Sequence, residues 1–189
     1  MIAARVVVPP EVEPVTLEEL RLQVRADHGE EDALLIGKIA AARRHIENLT
    51  GLTLAVATFE VRLDRFPLAE IKLPKTPVVE VSSITYTGAD GVETIVSPAD
   101  YVVDTASPRG WIVPRSGFSW PATLRTINAV GIRFVAGAAP SEVPEPLREA
   151  ILQLAAWWYA QREAADLDPA RPVPFSVAEL VNEHRGWTF

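Results

Sequence analysis

Cysteine is absent from the 189 residues of this chain. That absence excludes a disulfide framework, a thiolate metal site and a cysteine nucleophile. Histidine is scarce: His28, His45 and His184 stand far apart, without the short fixed spacing, such as HExxH, by which imidazoles hold a metal. No apolar run approaches the ~20 residues needed to span a bilayer. The opening MIAARVVVPPEVEP has neither the long apolar core nor the small-residue cleavage site of a signal peptide. A soluble protein of the cytoplasm, or one assembled there, is expected, with no membrane contact.

An excess of positive charge is also lacking. The net charge is −7, which argues against a nucleic-acid grip built on a strongly basic surface. Its distribution is uneven. Residues 1–51 carry six basic and nine acidic residues, residues 52–140 carry eight of each, and residues 141–189 carry four and eight. The two ends hold all of the negative excess, and the middle is neutral.

Catalytic motifs are missing too. There is no GxSxG or SxxK nucleophile motif and no GxxxxGK phosphate loop, and Gly88 and Gly91 fall in a hairpin signal. The stretch DHGEED, Asp27 to Asp32, offers carboxylates to a hard cation but lacks the alternating ligands of a calcium loop. Acids at a helix start suit the helix dipole without any metal. Glu179 and Glu183, one helical turn apart, read as solvated surface acids. The five tryptophans raise the idea of a carbohydrate platform. Trp157 and Trp158, adjacent on a helix, point about 100° apart and cannot share one flat face. One is expected in the bundle and the other at its edge or an interface, with Trp111 and Trp120 packing in the middle block. No catalytic, metal or cofactor residue is expected.

What is present is a clear change of material along the chain. In VTLEELRLQVRAD, Thr16 and Glu19 have capping-box spacing, and Leu17, Leu20 and Val24 recur at helical spacing. Leu35, Ile39, Ala42, Ile46 and Leu49 make the apolar stripe of a second helix, which Thr50-Gly51 stops. After Gly51 the period becomes two: Phe59, Val61 and Leu63 alternate with Glu60, Arg62 and Asp64, a half-buried strand. An edge segment broken by Pro74 and Pro77 follows, then a hairpin signalled by Asp90-Gly91, then YVVD, WIVP and AVGIRFVAG as short strands. From Pro140 the helical period returns, with Leu147, Ile151, Leu154 and Trp158 on one stripe. A Pro-rich loop, DLDPARPVP, precedes a short last helix capped by Ser176.

The expected fold is α+β. Both chain ends form a small helical bundle, with residues 1–51 as its first part and 141–189 as its second. Residues 52–140 form an inserted antiparallel β lobe of five to seven strands. The chain stops on NEHRGWTF, with Trp187 and Phe189 where chain ends usually fray into water.

In their order and spacing, several segments together resemble the head–tail connector (adaptor, or head-completion) proteins of long-tailed phages. The form is the longer one with a β insertion, found also in phage-like gene transfer agents. They are PVTLEELRLQVRAD, EDALLIGKIAAARRHIENLTG, IKLPKTPVVEVSSITYTGADGVE, YVVDTASPRGWIVP, SWPATLRTINAVGIRFVAG, VPEPLREAILQLAAWWYAQRE and RGWTF. The resemblance covers nearly the whole chain. It implies a non-enzymatic, homo-oligomeric ring, commonly of twelve subunits, in the neck of a particle made in a bacterium. Such a ring lies under the portal protein, extends the DNA channel without sequence-specific DNA binding, and carries the stopper or tail-completion protein. In that family the C-terminal segment reaches the portal, which on this chain falls on Arg185, Trp187 and Phe189. The alternative is that Trp187 staples the last helix to its own bundle. An acidic lumen would let DNA slide, and Glu18, Glu19 and Glu149 are the expected channel-facing residues. Another neck or tail-completion protein, or a carbohydrate-binding or hydrolytic component of the particle, are the alternatives.

Overall fold

The computed structural model describes residues 3–26, 29–107, 109–161 and 174–184. The protein is α+β, with four helices and eight antiparallel strands among the described residues. It divides into two compact units, each assembled from two pieces of chain. Met1–Glu11 and Val56–Gly137 make a β unit, and Val12–Ala55 and Ala138–Phe189 make a helical unit.

In the helical unit, α1 (Leu17–Val24) begins with the capping box read from the sequence. The Glu19 amide donates to Thr16 Oγ1 at 3.1 Å, and the Thr16 amide donates to Glu19 Oε2 at 2.6 Å. The longer α2 (Asp32–Thr50) buries Leu35, Ile39, Ala42 and Ile46 on the predicted stripe. It ends at Gly51, whose φ of 75° is the left-handed geometry that glycine adopts freely. α3 (Glu145–Ala160) buries Leu147, Ile151 and Leu154, and α4 (Phe175–Asn182) adds Val177 and Val181 to the same core. Trp157 and Trp158 both pack at the border of that core. Ser176 does not cap α4. The N-cap is Pro174, and Ser176 Oγ, inside the first turn, donates to Gln153 Oε1 on α3 at 2.9 Å. Arg43 lies buried in this unit, held by Glu13 (2.6 Å) and Glu47 (2.9 Å). Burial alone would lower its pKa, but the two carboxylates outweigh it and raise it.

In the β unit, β1 (Ala4–Val8), β2 (Ala57–Leu63), β8 (Val130–Ala136), β4 (Val78–Thr87) and β5 (Glu93–Ile95) form one sheet in that spatial order. β3 (Ile71–Lys72), β7 (Trp111–Pro114) and β6 (Tyr101–Asp104) form the other. Phe59, Val61, Ile84, Ile132 and Phe134 from the first sheet share a core with Ile71, Tyr101 and Ile112 from the second. The hairpin between β4 and β5 turns at Asp90-Gly91. Gly91 has φ 80°, and the Asp90 carboxylate accepts from the Val92 amide at 3.0 Å.

Residues 52–140 carry seven strands, β2 to β8, within the expected five to seven, and the eighth, β1, comes from the start of the chain. One expectation changes. The first eleven residues belong to the β unit rather than to the helical part, because the β-branched run in ARVVV pairs antiparallel with β2, Ala4 opposite Val61.

Candidate assembly surfaces

Among the described residues there is no group of three or more histidine or carboxylate side chains placed to hold a metal ion. Two acids of the DHGEED stretch, Glu31 and Asp32, have protein partners. Asp32 accepts from Arg21 Nε at 2.9 Å, and the Tyr159 hydroxyl donates to Glu31. The His45 ring meets Trp158 edge-on, with centroids 5.8 Å apart.

Arg185, Trp187 and Phe189 lie outside the described residues. Glu18 and Glu19 sit on α1 and Glu149 on α3, all in the helical unit. Glu18 is exposed, and Glu149 is half-buried and accepts from Gln153 Nε2 at 2.8 Å. Glu19 is committed to structure: besides its capping bonds it accepts from Arg148 Nη2 at 2.7 Å, which links α1 to α3. Its pKa is lowered chiefly by the Thr16 backbone amide. Burial opposes that shift, and the Thr16 hydroxyl and Arg148 reinforce it.

A second constellation escaped the sequence reading. Glu60, which alternation places on the solvent side of β2, has a side chain only 4% exposed. It is surrounded by three arginines from three strands. Arg5 of β1 reaches Oε2 at 3.0 Å, and Arg62 of β2 and Arg133 of β8 reach Oε1 at 3.0 and 3.3 Å. The register explains the meeting. Arg5 and Arg133 both stand directly opposite Glu60, so all three side chains share one face. Gly131 contributes by omission: a Cβ there would lie 2.9 Å from Thr85 Oγ1 and 3.1 Å from Arg62 Nη1, where Arg62 now crosses the sheet. Burial would raise the Glu60 pKa, but Arg62 and Arg133 hold it below its ordinary value. Arg5, Glu60 and Arg62 line an open cleft of about 700 Å³. Only the cross-strand neighbours reveal this cluster, and one strand's pattern carries no information about them.

The smaller sheet presents Trp111, Val113 and Val102 to solvent, with Val102 directly opposite Val113. The Trp111 indole N–H donates to the Asp104 carboxylate, which also accepts from Ser107 Oγ and from the Ala106 amide at 2.9 Å. These donors, Ser107 first and then Trp111, lower the Asp104 pKa to about 2.

The described residues of the two units thus present charged and apolar surfaces of the kind that make contacts. No family model matches the chain, and no curated protein sequence matches it. Solved structures do. One chain from the virion of a native gene transfer agent (GTA) particle is 28% identical over 98% of this chain and 96% of its own, with a TM-score of 0.79. A chain from the neck of an empty GTA particle, computed with C6 symmetry, is 30% identical over 99% and 97%, with a TM-score of 0.78. A third, from the neck of the native particle computed with C12 symmetry, is 29% identical over 100% and 97%, with a TM-score of 0.72. The chain belongs to the family of gene transfer agent neck proteins. Its place is the particle neck, and among the described residues no helix is long and apolar enough to cross a membrane.

Proposed function

We propose that this neck protein is a head–tail connector, or adaptor, subunit. Twelve copies form a ring under the portal protein, extend the DNA channel and carry the stopper and tail. The observation that supports this reading best is the likeness, along the entire chain, to a component of a neck with C12 symmetry. A cyclic ring needs no catalytic residue, only two complementary faces on each copy. The acidic helical unit suits a channel wall that repels phosphate, with the exposed Glu18 and the half-buried Glu149 among its carboxylates. The C-terminal Arg185, Trp187 and Phe189 supply the residue types that anchor interfaces, and we assign them to the portal.

The test is to mix the purified chain with portal protein and image the product by electron microscopy. A twelve-fold ring seated on the portal is expected. Failure to bind the portal, or density for this chain at another level of labelled necks, would overturn the adaptor reading.

A further inference from the structure

We infer that the Arg5–Arg62–Arg133 cluster is the basic half of a contact between adjacent copies, and that it receives carboxylates from the helical unit of the next subunit. This rests on the ring reading above.

Three guanidiniums converge on one carboxylate, so two positive charges of the cluster remain uncompensated. Glu60 is the buried post that positions them; Arg5 and Arg62 line the open cleft beside it, and Arg133, its side chain 54% exposed, stands at the same carboxylate. Asp64 at the cleft is turned instead to the Asn128 amide, at 2.8 Å. Arg5 also lies on the open edge of the sheet, where Val6 and Val8 are about half exposed. Unpaired edge strands with bare valines invite another chain, and an arginine beside apolar residues is the composition of an interface centre.

Charge selects the occupant. The β unit holds nine basic and nine acidic residues, whereas the helical unit holds nine basic and sixteen acidic, the whole of the net −7. In a closed head-to-tail ring each copy presents two different, complementary patches. A basic cluster on one unit and an acidic surplus on the other meet that requirement within one sequence. DNA fits the cleft less well, because Glu60 and Asp64 stand in it and the chain as a whole repels phosphate.

The test uses the full-length chain with portal protein and follows ring formation by native mass spectrometry. Two variants leave Glu60, Arg62 and Arg133 themselves unchanged. Arg5→Gln removes the most exposed guanidinium, 76% exposed, and Ser83→Glu places a carboxylate directly opposite Arg133 to fill the site from within. Folded variants that need at least about tenfold more protein to close the ring support the contact. Folded variants that assemble like the wild type overturn it. If neither variant folds, wild-type assembly decides: weakening between about 0.1 and 1 M salt supports the contact, and indifference to salt overturns it. Wild-type binding to a short DNA duplex that both variants lose would make the cluster a phosphate site and overturn the contact. A wild-type chain that forms no ring overturns the ring reading and this contact with it, whereas rings from all three proteins at the same concentration overturn the contact alone.

Discussion

Arg148 on α3 donates to Glu19 on α1 at 2.7 Å, using the carboxylate that also closes the capping box with Thr16. One side chain therefore starts a helix and joins it to another. Glu19→Ala removes both functions and should cost about 1–2 kcal/mol, a fall in Tm of roughly 2–8 °C for a chain of this size. Glu19→Gln keeps a capping acceptor and should cost less. Because the folded pKa lies below the ordinary 4.5, the contribution is complete above that pH and is lost as pH falls below it. Thermal melts between pH 7 and 3 check both statements.

The Glu60 cluster should respond asymmetrically. Glu60→Gln leaves three arginines that already reach water, at about 1 kcal/mol. Removing Arg62 and Arg133 together strands a buried carboxylate with Arg5 alone, at about 3 kcal/mol or more. Gly131→Ala should act like loss of Arg62, because the new methyl group occupies the guanidinium's path. Urea midpoints give the order; a costlier Glu60→Gln would contradict it.

Trp111 reports on Asp104. Its indole N–H resonance should hold steady down through pH 4 and titrate with a midpoint near 2, since the folded carboxyl lies at about 2 against an ordinary 3.8. The stability contributed by this network is whole above pH 3.8 and disappears as pH falls toward 2. Asp104→Asn should abolish the titration.

Glu18 and Glu149 are the channel candidates that stand outside the Glu19–Arg148 ion pair joining α1 to α3. Reversing both to Lys should slow or trap DNA passage while leaving the melting temperature within a few degrees. Undiminished gene transfer by such particles counts against an acidic channel face.

Deleting Trp187 to Phe189 separates docking from stapling. A folded subunit that no longer joins the portal is the expected result. A subunit that loses its helical melting transition would instead make these residues part of its own bundle.

Local signals were legible wherever one stretch of chain carried the whole cause. Thr16 and Glu19 announced α1, Gly51 ended α2, and Asp90-Gly91 marked a hairpin, because caps and turns depend on neighbours within four residues. Helical stripes such as Leu35–Ile39–Ala42–Ile46 were readable for the same reason. Ser176 misled because a cap-forming residue type also occurs inside a first turn, where its hydroxyl is taken by Gln153 of the neighbouring helix.

By itself, then, the sequence determined the α+β composition, the caps, the acidic ends and a family likeness spread over the chain's length. Tertiary structure alone decided that Ala4–Val8 joins the β unit, that Glu60 turns from a surface acid into a buried post, and that Glu19 belongs to Arg148. These are pairings across 55, 73 and 129 residues. Strand register and helix packing set them, and no local pattern encodes which distant partner arrives.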